Sequence, residues 1–344
     1  TCALPISMRL VITLACAYFA SPALAADASL VAAAKREGVV SWYTTQIVNQ
    51  FAKPAAEAFE KKYGVKVDFT RNDPGAIVMR VMGESRSGRV QADVIDSAPV
   101  VTALKTAGLV MKWIPESAAR FDKKYVDAEG YWSGTNFYVL TPAYNTEIVG
   151  KDRAPRTWDD LLDPRWKGRM AWNNQIATAG AAGFVGLVIT ELGEAKGLEY
   201  LRKLRGQNVA PLGVAARQVV DQMIAGEYAI ALQIFNHHPV ISAAQGAPAD
   251  WIPMNPAFEY PSPAAIAKDA PHPNAAKLFL DFLVSPEGQA LYRDADYMAV
   301  DAALPSRVAS LRPDGVKFRS IWFTPETIEA NTAKWTSLYN EIFR

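Results

Sequence analysis

Two adjacent histidines, His237 and His238, are the most reactive-looking side chains in the sequence, and His272 is the one other histidine. A neutral imidazole can ligate a metal or accept a proton as a general base. Adjacent side chains point in different directions in most backbones, so this pair is a poor chelate without ligands from elsewhere. The histidines follow Asn236 and an apolar run over residues 228–235. Three further polar clusters are placed the same way, just after apolar runs: Tyr43-Thr44-Thr45-Gln46, Asp96-Ser97 and Trp172-Asn173-Asn174-Gln175. Such groups hold a ligand by hydrogen bonds rather than attack it. Each also has a structural reading, since Thr44 or Thr45 could cap a helix near Ile47 and Asn174 one near Thr178. The segment Thr178-Ala179-Gly180-Ala181-Ala182-Gly183 opens a helix with small residues, which either exposes backbone N–H groups to an anion or packs tightly on a sheet. No HExxH, GxSxG or phosphate loop is present. Asp159, Asp160 and Asp163 lie beside Arg165, Lys167 and Arg169, which reads as a solvated, ion-paired face rather than a metal site.

The elements that must position these groups alternate. Apolar periodicity predicts helices over residues 27–37, 47–63 (bent at Pro54 and ended by Gly64), 76–84 and 99–107, with strands over 39–43, 65–70 and 92–96 between them. Strands separated by single helices predict a mostly parallel α/β sheet. A strand over 136–140 leaves this set. A second set follows, with helices over 158–162, 178–192, 194–204 and 214–225 and strands over 169–172 and 228–235. A Pro-rich extended stretch over 251–266 carries the chain back, and helices over 274–284, 286–292 and 325–343 finish it. The expected division is residues 26–138 with 257–324 as one lobe, 139–256 as the other, and 325–344 as a C-terminal helix. In open parallel sheets ligands sit beyond the carboxyl ends of the strands. The four clusters fall there, two in each set, placed to face each other across a cleft.

Composition limits the partners. An apolar fraction of 50% with 21% charged residues is that of a globular protein. Lys and Arg total 36 against 35 Asp and Glu, so there is no basic excess of the kind nucleic-acid binders carry. Residues 8–25 read as a secretory signal peptide, with Arg9 as the positive start, an apolar core over 10–19 and a small-residue cleavage site at Ala23-Leu24-Ala25. That core is shorter than the about 20 residues needed to span a bilayer. Residues 1–7 precede the first methionine and are set apart from the fold reasoning. Both cysteines, Cys2 and Cys16, lie in the leader, so a mature chain starting at Ala26 has no disulfide and no thiol chemistry.

The chain resembles the substrate-binding proteins of bacterial ABC importers, in the family that includes the ferric-iron-binding proteins. The likeness rests on Thr157-Trp158-Asp159-Asp160-Leu161-Leu162-Asp163-Pro164-Arg165-Trp166-Lys167-Gly168-Arg169, with Ala143-Tyr144-Asn145-Thr146, Ser285-Pro286-Glu287-Gly288-Gln289 and Ala92-Asp93-Val94 in support. It implies a two-lobed periplasmic binding protein type 2 fold with a crossover-strand hinge. It also implies a periplasmic location, a small-molecule ligand, an inner-membrane ABC permease as partner, a monomer, and neither catalysis nor cofactor. Ferric-binding members carry two adjacent tyrosines where this chain has His237 and His238, and many have a histidine after the first strand, which residues 43–47 lack. Ferric iron prefers anionic oxygen donors. Related members that bind phosphorylated sugars, phosphonates or thiamine make an organic or phosphorylated anion the expected ligand.

The residues expected to line the cleft are Tyr43, Thr44, Thr45, Ser97, Asn173, Asn174, Thr178, Asn236, His237 and His238. Tyr43, Trp172 and Tyr260 are candidates for its apolar walls, and the histidines would add imidazolium charge toward an anion. Three alternatives remain at this point. The first is a metal receptor of the same fold using His237 and His238 with carboxylates from the other lobe. The second is a secreted hydrolase with a histidine general base. The third is a receptor that serves a membrane sensor instead of a transporter.

Overall fold

The computed structural model describes residues 27–175, 178–313 and 318–344; the expected signal peptide and both cysteines lie outside the described residues. Helix α1 (Ala28–Glu37) starts on Asp27, whose carboxylate accepts from the Ser29 N–H, and ends on Gly38 with φ 77°. Strand β1 (Val39–Thr44) follows. The stretch expected as one helix from residue 47 instead makes a short wide turn over Val48–Ala52 before α2 (Lys53–Tyr63), because Pro54 is accommodated at the start of a helix and not inside one. Then come β2 (Lys66–Arg71), α3 (Pro74–Arg86), β3 (Val94–Asp96) and α4 (Ala98–Thr106). Strands β2 and β3 flank β1, both parallel to it.

The strand expected over 136–140 is the middle of a longer one, β4 (Ser133–Asn145). The second set comprises β5 (Met170–Asn173), α5 (Ala181–Leu192), α6 (Glu194–Arg205), β6 (Ala210–Leu212), α7 (Ala216–Ile224), β7 (Ile230–Phe235), α8 (His237–Ala243) and β8 (Ala249–Trp251). Strand β5 lies between β6 and β7, parallel to both. Strand β9 (Ala257–Ile266) returns to the first set, and α9 (Pro273–Val284), α10 (Pro286–Asp294), β10 (Met298–Ala299), β11 (Ser320–Trp322) and α11 (Pro325–Phe343) complete the chain. Among the described residues no helix is long and apolar enough to cross a membrane.

Strands β4 and β9 join the two sets. They pair antiparallel from Ser133 opposite Ala264 to Leu140 opposite Phe258. The far end of β9 pairs with β3, and the far end of β4 pairs with β7. Every residue of β9 is buried, as expected of a strand covered on both faces. The β4–β7 ladder skips at Pro142, where β7 takes a bulge with Gln233 at φ 51°. Proline has no N–H to give the ladder, so the irregularity falls where pairing is already interrupted.

Each set has its own core. Trp42, Phe51, Phe59 and Phe279 pack edge to face in the first, and Trp172, Phe184 and Leu201 are buried in the second. Helix α11 belongs to the second core through Trp335, Tyr339 and Ile342. Its first turn reaches the first set, where Glu326 accepts from Trp132 Nε1 at 3.1 Å and pairs with Lys105 at 3.4 Å. The docking of α11 depends on Gly186 of α5, where a Cβ would stand 2.5 Å from the Trp335 ring. Alanine favours a helix over glycine by about 1 kcal/mol, whereas overpacking a rigid ring costs about 1–3 kcal/mol. Gly186→Ala is therefore expected to lower stability in urea unfolding despite the better helix former; an unchanged or higher midpoint would show that α11 does not rest on this contact.

Candidate functional site

Asp96 ends β3 and is buried beside the end of β1. Its carboxylate accepts from Trp42 Nε1 at 2.9 Å, Thr44 Oγ1 at 2.5 Å, the Thr45 N–H at 2.9 Å and Thr45 Oγ1 at 3.2 Å. Burial pushes this carboxyl up to about 6, and the four donors oppose that rise. Thr44 Oγ1 in turn accepts from the Gln46 N–H at 3.0 Å. One buried acid thus fixes the path of residues 44–46 as they leave the sheet.

That loop forms part of a cavity of ≈ 600 Å³ between the two sets. Of the expected residues, Thr45, Ser97, Asn173, Thr178, His237 and His238 line it, and so does Tyr260. Tyr43, Thr44, Asn174 and Asn236 are not among the lining residues. Strand alternation puts Tyr43 on the opposite face of the sheet from Trp42 and Thr44. There its hydroxyl donates to Glu84 at 2.7 Å and its ring lies 4.2 Å from the Arg80 guanidinium carbon. Thr44 is wholly buried under the loop. Asn174 continues the pairing of β5 with β6 through its N–H to the Leu212 carbonyl at 3.0 Å. Asn236 is buried with its Nδ2 donating to the Leu311 carbonyl at 2.8 Å, which ties the second set to the chain before β11. Trp172 is fully buried against Phe184, Tyr339 and Phe343, so it is core and not a cavity wall.

The glycines near Thr178 serve packing. A Cβ on Gly180 would strike the Asn173 carbonyl and one on Gly183 the Thr178 carbonyl. They let the loop fold back over the start of α5. Asn173 closes that loop with both ends of its amide, Nδ2 to the Ala179 carbonyl at 3.1 Å and Oδ1 from the Gln175 N–H at 2.7 Å.

His237 and His238 open α8, an element hidden in the sequence by its shortness and by Pro239, which a first helical turn tolerates. His237 stacks on Tyr138 with ring centroids 6.1 Å apart. Burial, aided by Arg217, pushes His237 down to about 3; burial, His237 and Arg217 also depress His238. Burial thus favours the neutral form of both rings. Among the described residues no group of three or more His, Cys, Asp or Glu is placed to hold a metal ion.

Several lining residues carried no sequence signal. Tyr138 and Ser262 come from the middles of β4 and β9, and Tyr297 from the turn before β10. With Tyr260 and Phe235, Tyr138 and Tyr297 make an aromatic wall, with Tyr138 centred 5.4 Å from Tyr260 and 5.0 Å from Phe235. Much of the remaining boundary consists of helix starts: Asp73 to Gly75 at α3, Ser97 to Pro99 at α4, Thr178 and Ala179 just before α5, and Ala215 and Ala216 at α7. Asp73, at the start of α3, is the one Asp, Glu, Lys or Arg among the lining residues.

Residues 91–320 match the family described as bacterial extracellular solute-binding protein. The chain is 24% identical over 261 residues to a periplasmic protein of Salmonella paratyphi A provisionally named for 2-aminoethylphosphonate binding, covering 74% of this chain and 72% of that one. Iron-bound HitA from Pseudomonas aeruginosa has the same fold, with a TM-score of 0.73 at 22% identity over 88% of this chain and 99% of that one. The periplasmic binding protein AfuA from Actinobacillus pleuropneumoniae, with fructose 6-phosphate bound, gives a TM-score of 0.73 at 22% identity and the same coverages. The two sets of β-strands joined by β4 and β9 thus have the arrangement of a type 2 periplasmic binding fold. With residues 91–320, two thirds of its length, matching the family model, the chain belongs to the bacterial extracellular solute-binding proteins.

Proposed function

We propose that the chain is a periplasmic receptor that captures a small organic anion carrying a phosphate or phosphonate and delivers it to an inner-membrane ABC permease. Residues 26–138 with 257–324 act as one lobe and 139–256 as the other, closing over the solute about β4 and β9. One observation carries the reading: the starts of α3, α4, α5 and α7 converge on a cavity with no lysine or arginine among its described lining residues, where Asp73 at the start of α3 is the one carboxylate. Each helix start presents unpaired N–H groups and roughly +0.5 of an elementary charge. Those of α4, α5 and α7 together approximate the charge of about −1.5 to −2 on a phosphate monoester, while that of α3 is offset by the Asp73 carboxylate. The same three dipoles repel a ferric ion, and the neutral imidazoles that replace the expected tyrosines are poor donors for it. The candidate ligand contacts are Thr45, Ser97, Thr178, His237 and His238, with Tyr260 in the wall. Thr44 and Asn173 would act by holding the loops that carry those contacts.

Calorimetric titration of the mature protein should show saturable binding of 2-aminoethylphosphonate, a sugar phosphate or inorganic phosphate, and no binding of ferric citrate. Ferric binding with none of the phosphorus anions bound would reverse the assignment.

A charge placed at a helix start separates fold from function. Ala215 precedes α7 with extended φ and ψ of −64° and 154°, the conformation of a capping residue. Ala215→Asp should stabilise the helix by about 1 kcal/mol yet weaken anion binding at least tenfold, because the carboxylate stands in the cavity wall. Affinity that holds steady while the melting temperature rises would exclude α7 from the site.

Asp96 makes stability depend on pH. Folding raises its pKa from 3.8 to about 6, so the folded chain holds more protons than the unfolded chain between those values. Its contribution to stability therefore increases as pH falls from about 6 to about 4. Asp96→Asn removes this titration and leaves one N–H facing another. The variant should be less stable at pH 7 by about 1–3 kcal/mol, and its deficit should widen toward pH 4. A deficit independent of pH in denaturant midpoints would mean that Asp96 does not titrate in this range.

A further inference from the structure

Gln46 is the odd side chain of the cavity. It lines the cavity, it is 2% exposed, and neither end of its carboxamide is hydrogen-bonded among the described residues. The Tyr138 hydroxyl is near enough for the Gln46 carboxamide to oppose the rise that burial gives its pKa, but the pair does not meet the geometry of a hydrogen bond. Leaving a buried donor or acceptor unpaired costs about 1–3 kcal/mol. The loop cannot relax cheaply to recover that loss, because Asp96 holds Thr44 and Thr45, and Thr44 holds the Gln46 N–H. Asn173 shows the contrast: its amide also lines the cavity, but both ends are consumed within its own loop. From the other lobe, His238 presents a second buried polar atom without a partner, Nδ1.

We infer that Gln46 is a specificity-determining residue that reads a hydroxyl group on the solute, with His238 opposite it, and that the solute is a hydroxylated organic phosphate of the polyol or sugar type. This rests on the anion reading above and extends it to the body of the ligand. A hydroxyl both donates and accepts, so one hydroxyl or a neighbouring pair satisfies both ends of a carboxamide. An ammonium group only donates. It would leave Nε2 of Gln46 unpaired, and the one lining carboxylate, Asp73, is exposed at the start of α3. The faces of Tyr138, Tyr260 and Tyr297 then give the C–H surface of a polyol an apolar wall.

The test is calorimetry on the full mature chain with four probes: fructose 6-phosphate, glycerol 3-phosphate, 2-aminoethylphosphonate and inorganic phosphate. At least one hydroxylated phosphate should bind about tenfold or more tightly than both of the others. Gln46→Met, of similar length and without the carboxamide, should erase that margin without lowering the melting temperature, since it removes an unpaired buried group. Binding of phosphate or aminoethylphosphonate with no preference for a hydroxylated probe would overturn the assignment to Gln46 and leave the anion reading intact. So would a margin that survives in the variant. A variant that melts lower would show that Gln46 supports the fold instead of reading the solute. If none of the four binds, the anion reading fails and this inference with it.

Discussion

The antiparallel pairing of β4 with β9 is the constraint on which the molecule depends. Each pairs with different neighbours along its length within one continuous sheet, β9 with β11 and β3, β4 with β10 and β7. The backbone groups of both strands are buried, so their hydrogen bonds must be kept whatever the lobes do. The closure proposed above would therefore be confined to bending and twisting of a shared ladder. Its irregularities, between Gly134 and Asn136 on the β9 side and at Pro142 on the β7 side, lie on either side of the common stretch. Tyr138 sits between them, so the cavity floor is part of the hinge.

The cavity is built differently from the cores above and below it. The cores are closed by aromatic and aliphatic packing, as between Trp42, Phe51 and Phe279. The cavity is closed by helix starts and by loops whose polar groups are tied down from behind. Asp96 shows how this works: a charge buried at the end of a strand is tolerated because four donors converge on it, and those donors then hold the binding loop. The electrostatics follow from backbone direction more than from side chains. With Asp73 as the one Asp, Glu, Lys or Arg among the described lining residues, the anion preference proposed above would rest on the orientation of α4, α5 and α7.

Helix α11 adds a third link between the lobes. It is packed into the second core by Trp335 and Tyr339, and its first turn is bonded to Trp132 and Lys105 of the first. Lys105 is itself held by Asp127 at 3.0 Å, with that carboxylate buried, so the link is anchored rather than a free surface pair.

The order of elements, the alternation into two α/β sets, the return crossing and the clustering of polar groups after strands were legible in the sequence. Hydrophobic periodicity is local, and the carboxyl ends of parallel strands are where ligands gather whatever the detailed packing. The family resemblance was legible as well, in the run from Thr157 to Arg169. Which member of each polar cluster meets the cavity was not. Thr45 does and Thr44 does not; Asn173 does and Asn174 does not; His237 and His238 do while Asn236 turns to Leu311. A step of one residue along a strand reverses the side a group faces, and where the strand ends is set by pairing with a neighbour far away in the chain. Tyr138, Ser262 and Tyr297 come together from three distant segments, and local pattern says nothing of that meeting. The neutral state of the histidines was decided by the fold alone, because the burial that discharges them exists only once Tyr138, Phe235 and Tyr297 have packed around them.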